Sequence, residues 1–265
     1  MIKQIKRTGD KIVEIITSTQ NQRVKQWKKL QTKKGRQQSQ TYLLDGWHLV
    51  QEVLQSQVQV IALIGTADEL ALHSDIVARV DQVYQVTDPI MQEITATVTP
   101  QGIAAVVALP NLQLTAIPQT GKWLLLDRVQ DPGNVGTMVR TADAAGFDGV
   151  IAGKGTVDFF SPKVMRSMQG SQFHLQLATA DLGELIPAMQ ANNIPVYGTE
   201  LNPQAISYRD LPASEHVALV MGNEGHGMAD DLLKLTTKNV YIPMPGQAES
   251  LNVAVSAGIL MFSLN

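Results

Sequence analysis

The stretch Leu219–Met228 reads LVMGNEGHGM, an apolar run that ends in three glycines around Asn223 and Glu224. Glycine tolerates positive φ and lets another backbone or a ligand come close. A loop just past a strand is also where open α/β sheets bind ligands. A second segment, Asp127–Arg140, reads DRVQDPGNVGTMVR. Its turn residues Asp131 to Asn134 separate a strand ending at Asp127 from a helix expected to begin near Gly136. Met138, Val139, Ala142 and Ala145 are spaced to face a sheet. Arg140 falls one turn into that helix, near the strand ends, where a guanidinium can meet an incoming anion. The bland alternative pairs Arg140 with Asp143 or Asp127. A third segment, Tyr241–Leu260, reads YIPMPGQAESLNVAVSAGIL. Here a strand runs into a proline-bounded loop, and Ser250 opens an apolar helix with Asn252 in its first turn. Ser250 can be a simple cap, whereas a buried Asn252 must find partners. Ala254, Ser256, Ala257 and Gly258 are small, so a neighbour packs closely, either the chain's own core or a second subunit.

Several chemistries are excluded. The glycines run Gly222-x-x-Gly225-x-Gly227, the reverse of a dinucleotide fingerprint, and no βαβ unit follows them. No Lys-Ser/Thr follows either, so this is not a P-loop, and Glu224 would oppose a phosphate. His226 stands alone without metal-ligand spacing, so no metal is expected. The chain has no cysteine, which removes disulfides and thiolate chemistry and fits a reducing, cytoplasmic setting. No apolar run approaches the roughly 20 residues of a membrane span, and the charged N-terminus has no signal-peptide core.

These segments need a frame, and the apolar periodicity supplies one. Strand and helix patterns alternate twice along the 265 residues. The first alternation predicts a helix over Thr19–Lys34 capped by Ser18, a polar loop over Gly35–Gln40, and strands at 42–44, 58–64, 83–86 and 103–108. A helix is expected over Asp68–Val80. The proline-containing stretch 110–121 carries one charge-free turn signal after another up to Gly121 and is expected to link two domains. The second alternation predicts strands at 123–127, 150–152, 195–199, 217–221 and 240–243, with helices between them and a last helix over 251–264. Such alternation argues for an α/β protein with a mostly parallel sheet covered on both faces. The net charge of −3 hides an asymmetry. Residues 1–40 hold eleven Lys and Arg against Asp10 and Glu14, a local excess of +9, while the rest is acidic. A basic arm on an acidic protein points to a polyanion such as nucleic acid, or else to a solvated helix face.

Together the three segments resemble the SpoU/TrmH-type RNA ribose 2′-O-methyltransferases of the SPOUT superfamily. The matching residues are Asn134-x-Gly136-x-x-x-Arg140-Thr141-Ala142, then Met221 to Gly227, then Ile242-Pro243-Met244 with Glu249 to Val253. Ser161 to Gly170 also fits, and Tyr42 to Val53 resembles the ribosomal-protein-like substrate-binding domain of the rRNA branch. The resemblance implies an RNA-binding domain over 1–109 and a methyltransferase domain over 122–265 with a deep trefoil knot. It implies S-adenosyl-L-methionine as cofactor, held by Met221, Gly222, Ile242, Met244 and Leu251. It gives Arg140 the central catalytic role, with Asn134, Glu224, Ser250 and Asn252 positioning the reactants. It also implies a homodimer through the C-terminal domain and RNA as partner, with ribosomal RNA ahead of transfer RNA. Two rival readings are an RNA-binding protein with a decayed active site and an ordinary nucleotide enzyme. The reversed glycine order and the basic arm count against the latter.

Overall fold

The structure is a computed structural model that describes residues 4–8, 11–95 and 97–264. Of the basic N-terminal stretch, Met1–Lys3, Gly9 and Asp10 therefore lie outside the described residues. The chain divides into two compact units. One comprises Met1–Pro110 with Phe160–Arg166, and the other Asn111–Phe159 with Ser167–Asn265.

The first unit is built on a mixed sheet. Its strands lie in the order Gln4–Thr8, Lys11–Ile16, Val83–Val86, Val60–Gly65, Ile103–Ala108, Thr41–Asp45. The three strands Lys11–Ile16, Val83–Val86 and Val60–Gly65 are parallel, and the remaining pairs antiparallel. Helices Gln22–Lys29 and Asp88–Thr95 bury Val24, Trp27, Ile90, Met91 and Ile94 in one cluster with Tyr84 and Val106. The first helix is shorter than its periodicity predicts. Asn21, not Ser18, caps it by accepting from the Arg23 amide at 2.8 Å. The stretch expected as a polar loop is instead the helix Lys33–Ser39. Thr32 caps it, and Arg36, only 2% exposed, donates to the Leu30 carbonyl at 2.8 Å. A glycine inside that helix follows from packing, because a Cβ on Gly35 would stand 2.0 Å from the Lys29 carbonyl oxygen. Gly35→Ala should cost about 2–3 kcal/mol of stability, read as a lower denaturant midpoint at unchanged slope. An unchanged midpoint would contradict this packing. The region Asp68–Val80 is two short helices, Ala67–Leu72 and Ser74–Arg79, broken at His73.

The second unit carries a seven-stranded sheet in the order Ile206–Ser207, Lys238–Tyr241, Val196–Thr199, Val217–Met221, Lys122–Leu126, Gly149–Ala152, Gln176–Thr179. Every pairing in it is parallel. Parallel strands are covered on both faces, so central ones read as unbroken apolar runs. Val217–Met221 is buried throughout. Leu125, Ile151 and Val220 join the cluster with Leu182, Leu185 and Ile186. Leu124, Leu126 and Val150, which point to the opposite face, are equally inaccessible at 0%. The two strands the sequence did not reveal, Gln176–Thr179 and Ile206–Ser207, are the edges, where half-exposed positions blur the apolar signal. From Lys122–Leu126 the chain winds outward to one edge, while Val217–Met221 belongs to the other half. The order therefore reverses between these neighbours, and a ligand crevice belongs at their C-terminal ends. Asp127 and Gly222 stand there. No helix among the described residues is long and apolar enough to cross a membrane.

Candidate active site

The first loop is shorter than expected. The helix begins at Pro132, not near Gly136, and runs to Ala144. Asp131 caps it, accepting from the Asn134 amide at 2.9 Å, and proline suits the first helical position because its missing N–H has no partner there anyway. Asn134 thus sits in the first turn. Met138, Val139, Ala142 and Ala145 are buried as their spacing predicts, and Arg140 is exposed.

Glu224 reaches across to that helix start. Its carboxylate accepts from the Gln130 amide at 3.1 Å, the Asp131 amide at 2.9 Å and the Asn134 side chain at 3.1 Å. Partial burial pushes its pKa up. The hydrogen bonds from Asp131, Asn134 and Gln130 outweigh that push and hold the carboxyl below its ordinary value. The Asn134 side-chain Oδ1 in turn accepts from the Asn252 side-chain Nδ2 at 3.0 Å. Asn252 is not inside the last helix but is its N-cap, accepting from the Ala254 and Val255 amides at 2.9 and 3.3 Å. That helix runs Val253–Ser263, so Ser250 neither opens nor caps it and lies in the exposed segment before it. Glu224, Asn134 and Asn252 form one hydrogen-bonded chain joining all three sequence segments.

A folded-state pKa below the ordinary 4.5 makes the ionised Glu224 stabilising. That contribution is complete above the unfolded-state value and is lost as pH falls through the lower folded one. Glu224→Gln, which faces donors with an amide, should therefore unfold more easily than the parent at neutral pH. The difference should shrink below about pH 4.5, the ordinary carboxyl value. Denaturant unfolding from neutral to acid pH tests it, and a pH-independent difference would rule it out.

Two residues that the sequence reading passed over hold the loop in place. Asn223 donates to the Arg128 carbonyl at 2.9 Å and accepts from the Gly225 and His226 amides at 3.0 and 3.1 Å. Its backbone exchanges hydrogen bonds with Gly227 at 2.9 Å. Asp127, 4% exposed, accepts from Arg128 Nε at 3.0 Å and from the Ala229 amide at 2.8 Å. Their signal in the sequence was an Asp closing an apolar strand and an Asn in a glycine-rich turn, which is too common to single out. Gly222 is needed for a reason internal to the loop. A Cβ there would lie 2.3 Å from the Gly227 carbonyl carbon and the Met228 nitrogen.

The remaining candidates surround this loop. The bland alternative for Arg140 is not realised. Asp143 bonds His174 at 2.9 Å and Asp127 bonds Arg128, and Arg140 makes no ion pair among the described residues. Met221 is buried in its strand, and Gly222 follows it. Ile242 is half-buried, while Met244 and Leu251 are 37% and 38% exposed. A Cβ on Gly258 would lie 3.5 Å from the Thr141 methyl, so the small residues of the last helix pack first against the chain's own helix Pro132–Ala144.

A fully parallel sheet with joined loops at the C-terminal ends of its two central strands is a ligand-binding framework. Residues 122–262 match the SpoU rRNA Methylase family, and residues 21–105 match an MRM3-like substrate binding domain. The chain belongs to the SpoU rRNA methylase family. It is 46% identical to the 23S rRNA (guanosine(2553)-2′-O)-methyltransferase RlmP of Bacillus subtilis, over 94% of this chain and 98% of that one. The AdoMet-bound rRNA methyltransferase from Sinorhizobium meliloti superposes with a TM-score of 0.86 at 33% identity, covering 95% of this chain and 97% of the other. AviRb from Streptomyces viridochromogenes, solved with AdoMet, gives 0.80 at 26% identity over 92% and 97%.

Proposed function

We propose that the protein transfers a methyl group from S-adenosyl-L-methionine to a ribose 2′-hydroxyl of ribosomal RNA. The observation that carries this reading is the Glu224–Asn134–Asn252 chain at the C-terminal ends of the two central strands, with Arg140, on the same helix as Asn134, making no ion pair among the described residues.

The residues fit the cofactor. Neither Leu219–Met228 nor Tyr241–Asn252 contains Lys or Arg, so a sulfonium cation meets no fixed positive charge there. From Pro243 to Leu251 no backbone hydrogen bond is made among the described residues, which leaves those amides and carbonyls open to a ligand. Met244 and Leu251 add exposed apolar surface suited to an adenine ring. Met221, Gly222, Ile242, Met244 and Leu251 would hold the nucleoside. When bound, S-adenosylmethionine supplies an already activated methyl group.

The chain's own residues then position the acceptor. A 2′-hydroxyl is a poor nucleophile until its proton leaves. Arg140 is always protonated and cannot take that proton, which passes to solvent water as the oxygen takes the methyl, leaving S-adenosylhomocysteine. Its guanidinium binds a neighbouring phosphate and stabilises the developing alkoxide. Glu224, Asn134 and Asn252 hold the three loops in register, and Ser250 hydrogen-bonds the target from its exposed segment. By this reading residues 1–109 grip the RNA, 110–121 link the domains, and 122–265 carry the knot and the chemistry in the cytoplasm. Val255 and Phe262, one heptad apart and 52% and 55% exposed, offer an apolar stripe for a second copy. A monomer at all working concentrations in sedimentation would remove the dimer from this reading.

The test is transfer of labelled methyl from S-adenosylmethionine to ribosomal RNA lacking endogenous modification, with transfer RNA run in parallel. Label on a ribose 2′-oxygen of the ribosomal RNA is expected. Label on transfer RNA alone would change the substrate, and RNA binding without cofactor binding would leave only an RNA-binding protein.

A further inference from the structure

The first unit opens a groove of about 410 Å³ beside helix Gln22–Lys29, within the size range of small-molecule sites. Its floor is apolar and partly aromatic: Trp27, Leu30, Tyr84 and Val106 are all buried. Its rim carries three exposed glutamines, Gln26, Gln38 and Gln82. Among the described residues the side chains of Gln26 and Gln38 make no hydrogen bond. Gln82 accepts through its carbonyl oxygen from the Tyr84 hydroxyl at 3.0 Å, and among the described residues its NH₂ group makes no hydrogen bond. Arg23 lies over the Tyr84 ring at 4.8 Å. Lys29 also lines the groove, and Lys25, Lys33 and Lys34 belong to the same two helices. None of these four lysines forms an ion pair among the described residues.

We propose that this groove holds one unstacked base of a single-stranded RNA segment. The glutamine amides, each able to donate and accept, read the base edge. The apolar floor takes the ring, and Lys29 with its neighbours holds the flanking phosphates. Unstacked bases are the usual target of sequence-sensitive RNA recognition. An acidic peptide would satisfy the lysines but would leave three amides and the floor without partners. The inference rests on the RNA-methylation reading and adds a substrate contact made by the first unit.

The experiment uses the full chain and a labelled oligouridylate, alone or paired in a duplex. Removing two amides in the variant Gln26→Ala with Gln82→Ala should weaken single-strand binding about tenfold without changing its salt slope. Lys29→Gln with Lys33→Gln should lower the slope by about 0.7 for each phosphate that is no longer neutralised. Unchanged single-strand affinity in the glutamine variant overturns the proposal, as does equal competition by polyglutamate. If that variant unfolds, photocrosslinking of a 4-thiouridine oligonucleotide to the parent decides: adducts on peptides containing Trp27 or Tyr84 support the groove, and adducts elsewhere alone overturn it. Methyl transfer measured alongside separates the two readings. Normal transfer with groove-independent binding overturns the groove only. Groove-dependent binding by a parent that cannot transfer methyl supports the groove and overturns the methylation reading.

Discussion

Arg140→Ala lowers methyl transfer by about 10²–10⁴-fold, the range lost when a group that stabilises developing charge is removed, while S-adenosylmethionine binding stays within about twofold. The side chain is exposed and outside the core, so truncating it removes no packing and breaks no ion pair among the described residues. Its loss therefore reports on the reaction and not on the fold. Arg140→Lys should fall between parent and alanine, because an ammonium keeps the charge but loses the planar fork that grips a phosphate. Single-turnover transfer and calorimetric cofactor binding are the measurements. Activity within a few-fold of the parent in the alanine variant would remove Arg140 from the mechanism and leave the hydroxyl without an electrostatic partner.

Gly222→Ala should have the larger effect on the protein itself. The added Cβ meets two backbone atoms at 2.3 Å, and neither belongs to a flexible side-chain end. The loop must open, and the hydrogen bonds between Asn223 and Gly227 open with it. Glu224 then loses its approach to Gln130, Asp131 and Asn134. We expect about 3 kcal/mol of lost stability, at the upper end for overpacking, and cofactor binding weakened about 100-fold by misplacement. Gly225→Ala is the control. Only the Asn223 Oδ1 lies near its Cβ position, at 3.8 Å, so its effect should stay within about 0.5 kcal/mol. Thermal unfolding and calorimetry of both variants test the contrast. Similar losses in the two would mean that glycine is needed along the whole loop for ligand approach, not at Gly222 for loop closure.

Much of the frame was legible because it is written in local periodicity. Val83–Val86, Ile103–Ala108 and Val217–Met221 stand where the apolar runs put them. Such runs are long enough and apolar enough to mark a buried strand. The strands that escaped notice are short edges, or lie in the charged N-terminal stretch, where Lys11–Ile16 buries Val13 and Ile16 but carries Lys11 and Glu14 among its apolar residues. The helix Lys33–Ser39 was hidden for another reason. Lysines, glutamines and a glycine make a poor amphipathic pattern, and the helix is held by its Thr32 cap and by Arg36 folding back on Leu30.

The site divides in the same way. Residue types and spacing drew attention to Arg140, Glu224, Ser250 and Asn252 and excluded a P-loop or a dinucleotide fingerprint, while Asn134 entered through the resemblance to the SpoU/TrmH family. Which of them touch is a separate matter. Glu224 meets Asn134 across 90 residues of chain, and Asn252 meets Asn134 across 118. Those partnerships depend on Val217–Met221 lying beside Lys122–Leu126, a neighbourhood that no local pattern encodes. The tertiary structure likewise decided that Asn252 rather than Ser250 caps the last helix, and that Gly222 answers to Gly227 and Met228. Periodicity, caps and turns act over a few residues and can be read in order along the chain. Close approach and shared hydrogen bonds are set by how the strands are ordered in space, and they exist only once the sheet has assembled.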